Sequence, residues 1–210
     1  MIKTIIFDIG NVLTAFGWKE FIHSFGFEPE VEERVGKATV AHPFWNEMDR
    51  GKLNEQELLE GFIRNDPEVE SQIRQVFQNL GGILLKADYA IPWVQELKRA
   101  GYQVLVLSNF SEKVGRENPD AMGFMEYVDG GILSCRDGLI KPDPAIYQLL
   151  IDRYGLTPEE CVFLDDLPAN VEAAAGLGLH TILFRSRQQA EEELARLGVE
   201  GKREEPGGLE

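Results

Sequence analysis

Asp8 closes the apolar run Ile-Lys-Thr-Ile-Ile-Phe (2–7) and opens Asp-Ile-Gly-Asn-Val-Leu. Ser108-Asn109 follows a second such run, Gln103 to Leu107, and Asp165-Asp166 follows a third, Cys161 to Leu164. Lys141 stands in Gly-Leu-Ile-Lys-Pro-Asp-Pro (138–144). Singly, each has an ordinary explanation: turn or cap residues for Asp8, Ser108 and Asn109, a surface lysine, a solvated acidic pair. Together they make a chemical set. Asp8 and the pair Asp165-Asp166 can converge on one hard cation. Magnesium prefers oxygen ligands and keeps several waters, so few carboxylates suffice. If those acids meet, their repulsion demands the cation or Lys141. Ser108 and the amides around it offer donors to a phosphoryl oxygen, and Lys141 can hold charge between phosphate and carboxylate. These are the parts needed for phosphoryl transfer through an aspartyl-phosphate.

The elements that must position them follow from the apolar pattern. Four β-branched runs, 2–7, Gln103 to Leu107, Cys161 to Leu164 and Thr181 to Phe184, predict buried strands. Helices are predicted over Pro92–Ala100 and Ala169–Leu177, and from an Asp143 N-cap opened by Pro144. Thr157-Pro158-Glu159-Glu160 reads as a capping box. Strands alternating with helices indicate an α/β fold whose parallel sheet is covered on both faces, with its ligand crevice at the strands' carboxyl ends. Asp8, Ser108 and Asp165 all sit at such ends.

Residues 15–87 interrupt the alternation. They read as helical throughout, over Trp18–Phe25, Pro29–Ala38, Asn54–Arg64 and Pro67–Leu80, with a second capping-box pattern at Asn54 and Glu57. The expected organisation is a core of residues 1–14 and 88–199, a helical bundle inserted as a cap over 15–87, and a flexible polar tail over 200–210. Phe21, Phe25, Phe62 and Phe77 are expected in the bundle's interior.

The 210 residues carry 36 acids against 21 bases, a net charge of −15. Non-specific nucleic-acid binding needs a positive face, and anionic lipid attracts basic segments, so neither partner is expected. Cys135 and Cys161 have no metal-like spacing, and His23, His42 and His180 form no cluster. No run approaches the roughly 18 apolar residues of a membrane span. The N-terminus enters a strand with no basic and apolar leader, so a cytoplasmic location is expected.

Four stretches resemble, in order and spacing, the motifs of the haloacid dehalogenase superfamily. They are FDIGNVL (Phe7–Leu13), LSN (Leu107–Asn109), IKPDPAIY (Ile140–Tyr147) and FLDDLPANVEAA (Phe163–Ala174). The resemblance spans nearly the whole chain. It implies a three-layered Rossmann-like core with a C1-type helical cap that closes over the site. It further implies Asp8 as nucleophile, Ser108 and Lys141 as phosphate ligands, and Mg2+ held by Asp8, the Gly10 carbonyl, Asp165 and Asp166. Asn109 is a further candidate at the substrate, and Asn170 a supporting one.

One position departs from the family pattern. Most phosphatases of this family carry, two residues after the nucleophile, an aspartate that serves as general acid and base; here that residue is Gly10. Such help is worth about 10²–10⁴-fold. FDxGNV also resembles a subgroup similar to bacterial sugar-1-phosphate phosphatases. A small phosphorylated metabolite with a good leaving group, an anomeric sugar phosphate or an acyl phosphate, is the expected substrate. Thr14 or Glu47 could replace the missing acid, and Trp45, Glu47 or Arg50 could face the substrate. Glycine at position 10 could instead serve a φ > 0 turn or a close backbone approach. Two other readings stay open: an inactive relative that binds phosphorylated ligands, and a dehalogenase, which in this family needs no metal.

Overall fold

The computed structural model describes residues 1–201, so most of the expected tail, from 202 onward, lies outside the described residues. Strand β1 (Thr4–Phe7) leads into β2 (Thr14–Phe16), followed by helices α1 (Trp18–His23), α2 (Pro29–Ala38), α3 (Asn46–Arg50), α4 (Glu55–Asn65) and α5 (Glu70–Gln78). After β3 (Leu84–Lys86) come α6 (Ala90–Arg99), β4 (Gln103–Ser108), α7 (Glu112–Glu117), β5 (Gly130–Leu133), α8 (Ser134–Asp137) and α9 (Pro144–Tyr154). Then β6 (Cys161–Asp165), α10 (Pro168–Ala175), β7 (His180–Leu183) and α11 (Arg187–Arg196) complete the order.

The five-stranded sheet runs β5-β4-β1-β6-β7, and all its pairings are parallel. Strand alternation divides its apolar residues between two cores. Ile5, Phe7, Val104, Val106, Val162 and Leu164 face one side, with Trp93 of α6 and Leu194 of α11. Ile6, Leu105, Leu107 and Phe163 face the other, against Ile146, Tyr147 and Leu150 of α9. The expected three-layered α/β fold is thus the observed one. Among the described residues no helix is long and apolar enough to cross a membrane.

Three expectations need correction. The sheet has a fifth strand, β5, hidden in the sequence behind Gly130-Gly131. Their φ values are 141° and 148°, and a Cβ on Gly131 would collide with the backbone of Val106, so only glycine lets this edge strand approach β4. The stretch 15–87 is not helical throughout: β2 and β3 pair antiparallel at its base, Thr14 opposite Lys86 and Phe16 opposite Leu84. Three-residue strands are too short to leave a period in the sequence. Third, Thr157 makes no side-chain cap; Pro158–Glu160 is a single 3-10 turn because the chain enters β6 at the next residue. The Asn54–Glu57 capping box does form, through bonds of 3.0 and 2.9 Å, and Asp143 caps α9 by accepting from the Ala145 N–H at 2.9 Å.

Candidate active site

Residues of β1 pair with β4 on one side and β6 on the other, Phe7 opposite Val106 and Leu164. Asp8 follows, its N–H donating to the Leu164 carbonyl at 2.9 Å, and Ser108 and Asp165 are the last residues of β4 and β6. Three adjacent strands therefore deliver three polar side chains to one point. Lys141 arrives from the loop before α9. Its N–H donates to Asn109 Oδ1 at 2.7 Å, while Asn109 Nδ2 donates to the Lys141 carbonyl at 3.0 Å. Both ends of the Asn109 amide are thereby occupied. Asn109 fixes the lysine backbone and also lines the cavity beside Asp8 and Lys141.

Lys141 Nζ lies 2.9 Å from Asp8 Oδ1 and donates to Asp165 Oδ2 at 2.6 Å, with its side chain 1% exposed. Asp165, fully buried, also accepts from Asn170 Nδ2 at 3.0 Å on each oxygen and from the Leu167 N–H at 2.8 Å. Its carboxylate is saturated by donors that aim Lys141 at Asp8. Burial pushes Asp8 up to about 6, Lys141 works against that rise, and Asp165 adds to it; the Ile9 N–H donates to Asp8 Oδ1 at 2.7 Å. Burial works to lower Lys141, but Asp8 and Asp165 hold it above the usual lysine range.

Asp8, Asp165 and Asp166 each bring one oxygen within 4.8 Å of the others. Three carboxylates against one ammonium leave an excess of negative charge, and an all-oxygen set suits a hard divalent ion. The residues present fit magnesium. Asp166 accepts from Asn11 Nδ2 at 2.9 Å, and Asn11 Oδ1 accepts from the Phe16 N–H at 3.0 Å. Asn11, at φ 57°, thus ties the acid to β2. Its residue type in FDIGNVL was the signal for this role, which sequence reasoning passed over.

A cavity of about 330 Å³ opens above these groups, bounded by Asp8, Lys141 and Asp166 on the core side and by Phe16, Trp45 and Asp49 on the other. Gly10 lines it with no positive φ, and a Cβ there would meet nothing within 4 Å. Neither a turn nor crowding requires glycine, so position 10 lacks a side chain for some other reason. The candidates to replace its acid fail: Thr14 Oγ1 donates to the Ile9 carbonyl at 2.9 Å, and Glu47 pairs with Arg50 at 3.1 Å. Neither they nor Arg50 line the cavity, whereas Trp45 does. Asp49, unmarked in the sequence, belongs to α3, while Trp45 ends the 3-10 turn Pro43–Trp45 before it; both line the cavity.

Helix α3 is clamped to the core. The Phe110 N–H donates to Ser134 Oγ at 2.8 Å, and Ser134 Oγ donates to the Asp49 carbonyl at 2.6 Å. Gly51, at φ 66°, ends the helix, and a Cβ there would collide with the Cys135 backbone. Gly51→Ala combines a left-handed penalty with that overlap, an expected cost of roughly 1–3 kcal/mol in urea unfolding. An unchanged midpoint would contradict the tight approach of α3 to α8.

A family model for haloacid dehalogenase-like hydrolases matches residues 2–178, and the chain belongs to that family. It is 28% identical over 93% of its length to mouse acyl-CoA dehydrogenase family member 10, but spans only 19% of that protein. With Phosphatase MT3486 of Mycobacterium tuberculosis it shares 27% identity over 93% of each chain. The fold is also that of a Bacteroides thetaiotaomicron enzyme of the family, solved with magnesium and inorganic phosphate, at a TM-score of 0.65 and 21% identity over 89% of this chain and 96% of that one.

Proposed function

We propose that this chain is a magnesium-dependent phosphatase that hydrolyses a small phosphomonoester, with sugar 1-phosphates the favoured class, through a phosphoaspartate on Asp8. The observation that carries the reading is the Asp8 carboxyl held by Lys141 at 2.9 Å beside further acids, at the mouth of a cavity large enough for a small metabolite. The phosphatase name of the mycobacterial relative and the ligands of the Bacteroides structure point the same way.

In this reading Asp8, Asp166 and the Gly10 carbonyl hold magnesium, which when bound neutralises charge on the phosphoryl oxygens. Asp165, expected as a ligand too, is saturated by protein donors, and its proposed part is to hold Lys141. Asp8 attacks phosphorus, and Lys141 and Ser108 bind the phosphoryl oxygens, groups that stabilise charge already in place before reaction. The cap side of the cavity screens the phosphoaspartate from bulk water. Gly10 leaves the core strands without an acid, and the resemblance of FDIGNVL to the sugar-1-phosphate subgroup is what favours an anomeric leaving group.

The test is phosphate release from sugar phosphates, nucleotides, acyl phosphates and simple alkyl phosphates. Glycosyl 1-phosphates should exceed alkyl phosphates in kcat/KM, and chelation should lower release at least about 10²-fold, restored by magnesium. Faster turnover of alkyl phosphates would remove the sugar 1-phosphate class. No magnesium-dependent release from any compound would leave a phosphate-binding relative, and chelator-insensitive halide release a dehalogenase.

A further inference from the structure

We infer that Asp49, a carboxyl carried by the inserted helical segment, is the general acid and base of this site, doing from above the cavity what no side chain does at position 10. The inference rests on the phosphatase reading and names the group that completes it.

Four observations carry it. Asp49 lines the same cavity as Asp8, Gly10 and Lys141, and is carried there by the inserted segment. It is 9% exposed, and among the described residues no hydrogen bond or ion pair reaches its carboxyl, which is not sealed off but opens to the cavity. A carboxyl largely withdrawn from water and without a protein partner is costly, and a function for its proton gives a reason to retain it. Its backbone is held by Ser134, which is held by Phe110 next to the Ser108-Asn109 turn, so the carboxyl is positioned from the catalytic core itself. Burial, with the Asp8 charge adding and Lys141 opposing, pushes it up to about 7, where both protonation states are available near neutrality.

The proton balance closes. As Asp8 Oδ bonds to phosphorus, the bond from phosphorus to the leaving oxygen breaks. That oxygen keeps the electron pair and takes the proton of Asp49, so an alcohol departs and Asp49 is left as carboxylate. Asp49 then takes a proton from water as the water oxygen bonds to phosphorus. The Asp8–phosphorus bond breaks, freeing phosphate, the Asp8 carboxylate and a reprotonated Asp49. Nothing but substrate and water is consumed.

Leaving-group acidity is the discriminating variable. Phenyl phosphate and p-nitrophenyl phosphate are the probes, assayed on the purified full chain with magnesium. Asp49→Asn should lose about 10²–10⁴-fold in kcat/KM on phenyl phosphate, whose leaving group needs the proton. On p-nitrophenyl phosphate the loss should be below about tenfold. That substrate should also give a burst of one nitrophenolate per active site, because hydrolysis of the phosphoaspartate now lacks its base. The melting temperature should equal or exceed that of the wild type, which separates a lost proton from a lost fold. Equal losses on the two substrates, or no loss on either, would overturn the inference while leaving the phosphatase intact. A wild-type chain inactive on both, and on the wider panel, would remove the phosphatase reading and this assignment with it.

Discussion

Asp8→Asn is expected to lower kcat/KM at least about 10⁴-fold on every phosphate ester the wild type accepts, with no burst phase. The amide keeps the volume and can still accept from Lys141 and the Ile9 N–H, but its oxygen cannot open a covalent path to phosphorus. Stability should not follow activity. Burial already holds the Asp8 carboxyl up to about 6, so a neutral side chain relieves a desolvation cost. The variant should unfold at the same or a higher temperature while releasing no phosphate. Residual turnover within tenfold of wild type, measured on protein free of other phosphatases, would mean that attack comes from water and not from Asp8.

Lys141→Met carries the other large effect, and here stability and activity fall together. Methionine conserves volume, but it leaves Asp8 and Asp165 facing each other with Asp165 at 0% exposure and no ammonium between them. Breaking a buried pair in this way costs about 3–5 kcal/mol, which for a chain of this size is a melting-point drop of roughly 6–20 °C. Loss of the phosphoryl donor lowers kcat/KM about 10²–10³-fold in the folded fraction. The deficit has a defined pH sign. Without the cation, burial holds the folded-state pKa of Asp8 above its unfolded value of about 4. The deficit is therefore smaller at lower pH, where Asp8 is protonated, and grows as pH rises through its folded-state pKa. Adding Asp165→Asn should recover part of the stability and none of the activity. A single variant as stable as wild type at neutral pH would show that Lys141 is not the charge that holds this site together.

Much of the architecture was legible in the residues alone. Uninterrupted short runs such as TIIF and CVFL read as strands buried on both faces, and their alternation with helices indicates a parallel sheet. A parallel sheet places whatever follows each strand at one edge, and the strand order β4-β1-β6 then sets Ser108, Asp8 and Asp165 side by side. The motif Asp143-Pro144 and the box at Asn54 and Glu57 stated their own caps. These are local or periodic properties, written in consecutive residues.

The tertiary structure decided what depends on neighbours far away in the chain. Strand β5 exists because Gly131 can approach Val106, a contact that glycine's identity permits but does not announce. Asn109 became a brace because Lys141 lies 32 residues on with both backbone groups presented to it. Asp165 became an anchor because Asn170, Leu167 and Lys141 saturate it. Asp49 is a residue of a five-residue helix, too short for a period to assign its face with certainty, and its environment comes from the α3–α8 contact across 85 positions of sequence. A side chain's type and local phase are in the sequence; which donors it meets, and so whether it keeps a proton, is set by the surfaces that folding brings against it.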